Sequence, residues 1–208
     1  MSQYFRIHPD NPQARLIKQA VGIINRGGVI VYPTDSSYAI ACQVDNKSAI
    51  DRIRLIRQLS DKHLFTLVCS DLAEISRYAT VDNINYRLLK AFTPGPYTFI
   101  LGATREVPRR LKHPKRKTIG IRVPDNKIAL ALLKELGQPL ISSTLNLPHE
   151  DLPQTDPYQI QLALENQVDL IIDGGYSGYE FTTIVDLIQN PPEVLRQGMG
   201  DVDWLKGH

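Results

Sequence analysis

Short apolar runs alternate with longer amphipathic segments along most of the 208-residue sequence, and this alternation constrains the fold more than any other feature. Runs such as "VIVYP", "FTLVC" and "DLIID" have the length of β-strands and fall far short of the roughly 20 apolar residues that cross a bilayer. Strands interleaved irregularly with helices predict a layered α/β domain with a mixed, twisted sheet. The other predicted strands are "SYAIACQV", 97–103, 118–122, 139–143, "TTIVDLI" and a short strand around Val194.

Capping residues and helical periodicity predict helices between these strands. Asn11 and Pro12 predict the cap and the first residue of a helix that ends at Gly27. Asp71 and Glu74 have the spacing of a capping box. The remaining predicted helices lie at 48–58, after a cap at Asp82, from a cap at Asp125 to Gly137, and near 157–166.

Length and composition are those of one globular domain, predicted to span 1–208. Hydrophobic residues make up 42% and charged residues 22%, both close to globular averages. The amino-terminal "MSQYFRIHPDN" lacks the apolar stretch of a secretory signal. The two cysteines, Cys42 and Cys69, lie in strand-like runs, which favours buried thiols over a disulfide. Together these features predict a soluble cytoplasmic protein that does not enter the membrane.

The net charge of +2 conceals a strong asymmetry. Residues 1–149 contain 22 lysines and arginines against 11 acidic residues, whereas 150–208 contain 2 against 11. The densest basic segment, "REVPRRLKHPKRKTIGIR", favours a polyanion such as double-stranded RNA or tRNA, and the alternative is a loop whose charges pair with the acidic tail. The predicted RNA-binding residues are Arg109, Arg110, Lys112, Lys115, Arg116 and Lys117.

Several common catalytic motifs are missing from the sequence. It has no G-x-x-x-x-G-K-[ST] phosphate loop, no complete G-x-G-x-x-G, no H-E-x-x-H and no G-x-S-x-G. The histidines lack the spacing of metal ligands, so no protein-bound metal is predicted. They are His8, His63, His113, His149 and His208.

Four loops rich in hydroxyl groups or glycine follow or connect the predicted strands: "PTDSS" at 33–37, "TPGPYT" at 93–98, "SSTLN" at 142–146 and "GGYSGYEFTT" at 174–183. Ligands bind at the strand ends of open sheets because backbone NH groups and short side chains converge there. Arg122 lies within the apolar strand "IGIRVP", and its guanidinium suits a carboxylate or a phosphate. The alternative is an internal ion pair, for example with an acid of the tail.

These stretches, in their order along the chain, resemble the motifs of the YrdC-like family, which includes the threonylcarbamoyl-adenylate synthases of tRNA modification. The resemblance spans about 12–200. It implies a mixed, twisted, seven-stranded sheet with flanking helices around a large positively charged cavity. The matching stretches are "YPTDSSYAIA", "TPGPYT", "IGIRVPDN", "PLISSTLN", "TTIVD" and "EVLRQG".

The resemblance also implies an activity. L-threonine and bicarbonate would form a carbamate that attacks the α-phosphate of ATP, releasing pyrophosphate and leaving threonylcarbamoyl-AMP for modification of tRNA at A37. This phosphorus centre requires positive charge and many donors, with Mg²⁺ accompanying the nucleotide. By motif position, Thr34 and Tyr38 would line the threonine pocket, Arg122 would hold the carboxylate or carbamate, and Thr182 would complete the substrate shell. The nucleotide would be contacted by Ser142, Thr144, Asn146 and Arg196.

One departure from the family pattern concerns the phosphate-binding charge. The family's K-x-R-P, which supplies two cations to the triphosphate, corresponds here to "RQLS". Arg57 keeps the first cation and would act with Arg122 in catalysis, whereas Leu59 replaces the second. Lys62 and His63 are the candidates to compensate. If the synthase reaction has been lost, the alternative function is binding of double-stranded RNA or tRNA without catalysis.

Overall fold

Six α-helices and eleven strands alternate along residues 1–205, the part of the chain that the computed structural model describes. The strands are β1 (Gln3–Arg6), β2 (Ile30–Pro33), β3 (Tyr38–Gln43), β4 (Thr66–Val68), β5 (Ala79–Thr80), β6 (Tyr97–Ala103), β7 (Thr118–Arg122), β8 (Leu140–Thr144), β9 (Leu170–Asp173), β10 (Thr183–Asp186) and β11 (Glu193–Arg196). The helices are α1 (Ala14–Asn25), α2 (Lys47–Ile56), α3 (Leu72–Tyr78), α4 (Asn83–Phe92), α5 (Lys127–Leu136) and α6 (Pro157–Leu164). Short 3-10 turns occupy Arg109–Leu111 and Asp203–Leu205.

All the strands belong to one mixed sheet, in the order β1-β9-β2-β3-β8-β4-β7-β6-β10-β11, with β5 beside β6. The sheet combines parallel pairs such as β4 with β7 and antiparallel pairs such as β3 with β8. The mixed α/β class is therefore confirmed. The described sheet has eleven strands instead of the seven that the resemblance implied, because short strands such as β1 and β5 extend it.

The two strands that the sequence did not predict lack a periodic signal. β1 has the sequence "QYFR", is exposed at both ends, and joins the sheet through its parallel register with β9. β5 contains only two residues and pairs with the end of β6. Such strands are fixed by their neighbours in the sheet and leave little trace in the local pattern.

Apolar residues cover both faces of the sheet. In β3, Tyr38, Ile40 and Cys42 belong to the core cluster that includes Ile53 of α2. Ala39 and Ala41, which point to the opposite face, belong to a second cluster with residues of α1 and α5. This alternation follows from the two-residue period of a strand. It also decides which side chains of β3 can reach a ligand site on either face.

The helix caps agree with the sequence at α3 and α4 and differ at two other helices. The Asp71 and Asp82 carboxylates accept hydrogen bonds from backbone NH groups three residues later. At α5 the cap is Asn126 instead of the predicted Asp125, and its side chain accepts from the Ala129 NH group. At α1 the cap is Gln13 instead of Asn11, and it makes no side-chain capping bond. The His8 ring holds the Asp10 and Asn11 NH groups in a turn, so this helix begins later than predicted.

Two further predictions can be compared with the structure. Cys42 and Cys69 are both buried and free, as predicted, and burial raises the pKa of Cys42 to about 12. Among residues 1–205, no helix has both the length and the apolar character needed to span a membrane.

Candidate functional site

A cavity of about 170 Å³ opens where the β2–β3 turn meets the ends of β7, β8 and β11. Its wall contains a high proportion of hydroxyl groups, which can both donate and accept hydrogen bonds. Two arginines, Arg122 and Arg196, also line it. The serine and threonine side chains in the wall are Thr34, Ser37, Thr66, Thr98, Ser142, Ser143, Thr144 and Thr182.

The register of the sheet brings these hydroxyl groups together. Thr66 of β4 lies opposite Ser142 of β8 on one side and Gly120 of β7 on the other. A Cβ atom at Gly120 would lie 3.2 Å from the Thr98 Cγ2 atom and 3.6 Å from the Thr66 Oγ1 atom. The absence of a side chain at Gly120 therefore keeps open the space between the two threonines, on the side of a second pocket that Gly120 lines.

The hydrogen bonds of the Thr34 side chain explain why a threonine follows the proline in "PTDSS". Its hydroxyl donates to the Ser37 carbonyl at 2.6 Å and accepts from the NH groups of Ser36 and Ser37 at 3.2 and 3.3 Å. The backbone adds a hydrogen bond from the Thr34 NH group to the Ser37 carbonyl. The turn between β2 and β3 is thus closed by one side chain, which fixes the position of Asp35 at its tip.

For Arg122 the sequence left open two alternatives, a role in ligand binding and an internal ion pair, and the structure contains features of both. Its guanidinium is buried and lines the cavity, and it also forms an internal ion pair. The partner is Asp35 of the same turn, not an acid of the tail. Arg122 further donates to the Ser36 hydroxyl at 3.1 Å. Asp35, which the sequence analysis did not assign, is not itself in the cavity wall but contacts the wall through Arg122.

Arg57 approaches the same cavity from behind its wall. Its NH1 atom donates to the Ser143 hydroxyl at 2.5 Å and its Nε atom to the Asn146 carbonyl at 3.1 Å. Burial lowers the pKa of Arg57 from its usual value, yet a guanidinium stays charged at neutral pH. Arg57 thus contributes charge and orients a lining hydroxyl group.

His63 is the one of the two candidates to compensate for Leu59 that reaches the cavity. It lines the cavity, and its Nε2 atom lies 3.2 Å from the Ser143 hydroxyl. Burial, together with the positive charges of Arg57 and Arg54, lowers the pKa of His63 to about 4. The imidazole is therefore neutral at pH 7 and supplies no charge. Lys62 is exposed and outside the cavity wall, and Leu59 packs against the apolar core.

Arg196 is the last residue of β11, and Thr182, the residue before β10, holds its side chain over the cavity. Its Nε and NH2 atoms donate to the Thr182 carbonyl at 3.1 and 2.9 Å, and NH2 also donates to the Thr182 hydroxyl at 3.1 Å. The guanidinium carbon lies 4.9 Å from the centre of the Phe181 ring. Burial, with a smaller effect of the Arg122 charge, lowers the pKa of Arg196. Thr182 and Arg196, both predicted to be site residues, are thus hydrogen-bonded to each other.

Two predicted site residues lie elsewhere. Tyr38 is fully buried in the core on the other side of β3, where its hydroxyl donates to the Gly175 carbonyl at 2.7 Å and accepts from the Gly174 NH group at 3.1 Å. Tyr38 therefore does not line this cavity, because the strand alternation turns its side chain to the other face of the sheet. Asn146 follows the end of β8 and does not belong to the cavity wall. Its carbonyl group positions Arg57 instead.

A second, more apolar pocket of about 340 Å³ adjoins the cavity. The two share Leu64, Thr66, Thr98 and Ile184 in their walls. Arg116 and His113 lie at the polar part of the second pocket, and the remaining lining side chains include Leu111, Ile119 and Leu195. The site therefore has a polar chamber with arginines next to an apolar chamber.

The basic segment between β6 and β7 keeps most of its charge unpaired. Of the six predicted RNA-binding residues, Arg116 alone forms an ion pair with an acid in residues 1–205, the buried Asp186. Arg110 and Lys112 donate to the carbonyl groups of Val44 and Thr104, which leaves their charges uncompensated. The remaining three, all exposed, are Arg109, Lys115 and Lys117. The acidic tail therefore neutralises only one of the six predicted RNA-binding cations in the described part of the chain.

The sequence signal for the unassigned site residues was present but weak. Ser143 and Thr98 lie in loops that the sequence singled out, and Thr66 is a polar residue in an apolar strand. Among residues 1–205, no group of three or more His, Cys, Asp or Glu side chains is arranged to hold a metal ion. His208 lies outside the described residues.

Comparison with known proteins assigns the family. The Sua5/YciO/YrdC model, described as "Telomere recombination", matches residues 22–198. The uncharacterised YciO protein of Escherichia coli K12 is 59% identical over 202 residues, covering 97% of this chain and 98% of YciO. A threonylcarbamoyl-AMP synthase of Vibrio vulnificus is 32% identical over 162 residues, covering 76% of this chain and 86% of the synthase. The chain belongs to the Sua5/YciO/YrdC family, as its motifs predicted.

Solved structures agree with this assignment. The crystal structure of E. coli YciO matches with a TM-score of 0.93, covering 97% of this chain and 98% of that chain. The crystal structure of P. abyssi Sua5 complexed with L-threonine matches with a TM-score of 0.90 at 22% identity, covering 99% of this chain and 60% of that chain. At that identity the second likeness is one of fold alone.

Proposed function

We propose that this protein makes threonylcarbamoyl-AMP and pyrophosphate from L-threonine, bicarbonate and ATP, for the modification of tRNA at A37. The observation that carries the proposal is the convergence of Arg57, Arg122 and Arg196 on one cavity walled by hydroxyl groups. Family membership supports it, because a threonylcarbamoyl-AMP synthase is among the relatives. The P. abyssi Sua5 structure with L-threonine supports the choice of amino acid.

The proposed chemistry needs no covalent enzyme intermediate. The threonine amine and bicarbonate form a carbamate with loss of water. A carbamate oxygen then bonds to the α-phosphorus of ATP while the bond from that phosphorus to the pyrophosphate oxygen breaks. In this proposal Arg196 and the Thr182 hydroxyl, which are hydrogen-bonded to each other, stabilise charge on the phosphoryl oxygens together with the Ser143 hydroxyl that Arg57 orients.

The two adjoining chambers suit the two parts of this reaction. We assign the amino acid and the reacting phosphate to the polar chamber beside Arg122, and the adenine to the apolar chamber beside Leu111 and Ile119. Mg²⁺ belongs in this proposal to the ATP substrate, whose phosphate oxygens it binds. This assignment puts Arg57 and Arg196 near the phosphates. Neither of these two cations has an acidic partner among residues 1–205, whereas Arg122 is paired with Asp35.

The proposal is tested by incubating the pure protein with ATP, bicarbonate and labelled L-threonine and measuring pyrophosphate and the adenylate. We expect both products, and an Arg196→Ala variant should lower the rate about tenfold to a hundredfold, because a charge-assisted hydrogen bond is lost from the transition state. Arg15→Ala, at an exposed position of α1, is the matched control and should not change the rate. Absence of both products at high enzyme concentration contradicts the proposal.

Binding of double-stranded RNA or tRNA without this reaction is a second candidate function. The specific observation in its favour is the run of exposed, unneutralised cations in the segment between β6 and β7. Contacts of lysine and arginine with phosphates release counterions, which makes the affinity fall steeply with salt.

The RNA candidate is tested by measuring retention of duplex RNA and tRNA over a range of salt concentrations. The Arg109→Gln, Lys115→Gln double variant should reduce the slope of log affinity against log salt by about 1.4 to 1.8, depending on the nucleic acid. Lys18→Gln with Lys134→Gln, on the exposed faces of α1 and α5, is the control pair and should leave the slope unchanged. RNA binding with an unchanged slope in the first variant contradicts a role for this segment.

A further inference from the structure

The ion pair between Asp35 and Arg122 is buried but leaves one hydrogen-bonding atom unused on each partner. Both side chains are about nine-tenths buried, with 10% and 9% of their surfaces exposed. The Asp35 Oδ2 atom and the Arg122 Nε atom have no hydrogen-bond partner in the described part of the chain. A buried pair usually satisfies its remaining acceptors and donors with further bonds. This one offers an acceptor and a donor instead.

The two unused atoms have complementary chemistry. Asp35 Oδ2 can accept from an ammonium group, and Arg122 Nε can donate to a carboxylate. A ligand that carries both groups on one carbon would satisfy both partners at once. Phosphate or bicarbonate would satisfy Arg122 alone and would be repelled by the Asp35 carboxylate.

With Arg122 as the partner of the α-carboxylate, as the family resemblance implies, we propose that Asp35 binds the α-amino group of a free amino acid and determines specificity for that group. The inference rests on the proposed function in taking an amino acid as the ligand of the cavity, and it extends that function by assigning Asp35. The unused atoms are shielded from solvent, so the pair opens by side-chain rotation when the ligand enters. One internal charged contact is then exchanged for two contacts with the ligand.

The β2–β3 turn is built to allow this exchange. Thr34 closes the turn through its own hydroxyl, so the backbone at Asp35 does not depend on the ion pair. The Ser36 hydroxyl lies 3.1 Å from the Arg122 NH2 atom and 3.2 Å from the Thr34 hydroxyl, and it remains a partner for the guanidinium when Asp35 turns to a ligand. Arg122 therefore keeps a polar contact throughout.

The test compares three ligands by calorimetric titration of the full chain without ATP. L-threonine carries both groups, 3-hydroxybutanoate lacks the amine, and 1-amino-2-propanol lacks the carboxylate. We expect threonine to bind at least about tenfold more tightly than either analogue, as expected for a lost charged hydrogen bond. Wild-type protein that binds 3-hydroxybutanoate as well as threonine, or that binds no threonine at millimolar concentration, overturns the inference.

The Asp35→Asn variant isolates the role of the carboxylate. The ratio of threonine affinity to 3-hydroxybutanoate affinity should fall at least about tenfold, and 3-hydroxybutanoate should bind more tightly than in wild type, because Arg122 loses its internal competitor. Asp45→Asn, the same change at an exposed position, should leave the ratio unchanged. An unchanged ratio in a folded Asp35→Asn protein overturns the inference. If that variant does not fold, the wild-type ligand series decides alone.

Failure of this inference and failure of the synthase proposal give different results. Formation of the adenylate with an unchanged affinity ratio in Asp35→Asn supports the synthase and excludes Asp35 as the amine partner. The expected ligand series without pyrophosphate release supports amino-acid recognition by Asp35 and excludes the synthase reaction.

Discussion

At the scale of single residues, His63 is a side chain of the cavity wall that carries no charge at neutral pH, although it was a candidate to compensate for Leu59. It lies beside the hydroxyl group of Ser143 that Arg57 orients. Its neutral imidazole can accept or donate a hydrogen bond but adds no charge. Leu59, the residue at the position of the missing cation, points to the core instead of the cavity. The positive charge that is absent at Leu59 is thus not replaced by His63.

Restoring a cation at His63 should strengthen nucleotide binding. We expect His63→Lys to bind ATP about tenfold more tightly, because an ammonium group near Ser143 adds a charge-assisted contact to a phosphate. Leu59→Arg is the contrasting variant, and it should lower stability without a gain in affinity, because that side chain packs against the core. Equilibrium binding of ATP to both variants checks this. A gain with Leu59→Arg and none with His63→Lys contradicts the assignment.

The buried environment of His63 also predicts a dependence of stability on pH. The pKa of His63 is about 4 in the folded protein, below its ordinary value of 6.5. Between these two values the unfolded chain binds the proton more readily, so stability falls as the pH drops from about 6.5 towards 4, by about 1–2 kcal/mol because solvent screens the partly exposed ring. Urea unfolding of wild type and His63→Gln at pH 7 and pH 5 measures this contribution. An equal loss of stability in the two proteins contradicts it.

At the scale of elements, the β2–β3 turn and the end of β8 are the parts of the fold that determine the cavity. The turn places Asp35 and Ser36 against Arg122, and β8 places Ser142 and Ser143 across from them. Both depend on side-chain hydroxyl groups that bond within the protein as well as facing the cavity. Stability and ligand binding should therefore respond together when such a hydroxyl group is removed.

Thr34→Val should destabilise the protein by about 1–3 kcal/mol, because the Ser36 and Ser37 NH groups lose a buried acceptor. The same change should weaken binding of L-threonine, since Asp35 is no longer held at the tip of the turn. Thr34→Ser keeps the hydroxyl group and is expected to restore most of both properties. Denaturant unfolding and calorimetric titration provide the two measurements. Thr34→Ser that is as damaged as Thr34→Val contradicts the role of the hydroxyl group.

The limits of prediction at this scale have identifiable physical causes. Apolar runs and caps such as Asp71 predicted most elements, because burial and capping leave local signals. The local pattern did not settle the choice between neighbouring capping residues at α5, where Asn126 takes the place of Asp125. The direction of Tyr38 depends on which face of β3 meets the core, and Asp35 gains its role from a residue 87 positions away. Such contacts are set by tertiary structure.

At the scale of the whole molecule, the uneven distribution of charge is only partly neutralised by folding. Arg116 joins the basic segment to β10 through Asp186, and Arg52 joins α2 to Asp169 next to β9. The other predicted RNA-binding cations have no acidic partner in residues 1–205. The molecule therefore retains a basic region in the segment between β6 and β7, as the charge distribution along the sequence predicted.

Arg116→Gln should be the most destabilising change in the basic segment. It would leave the Asp186 carboxylate buried without a cation, and losing a buried partner costs about 3–5 kcal/mol, with a smaller loss expected here because Arg116 is partly exposed. Lys115→Gln, one residue earlier and exposed, should leave stability unchanged. Thermal and denaturant unfolding compare the two. Equal stability of both variants contradicts the structural role of Arg116.

The cavity wall contains both Thr34 and Arg196, which are more than 160 positions apart in the chain. A nascent polypeptide cannot form it until β11 has been synthesised and has joined its neighbour. Occupancy by a small molecule should therefore slow amide hydrogen exchange across the entire sheet, not merely around the ligand, because the strands whose ends form the cavity wall all belong to that one sheet.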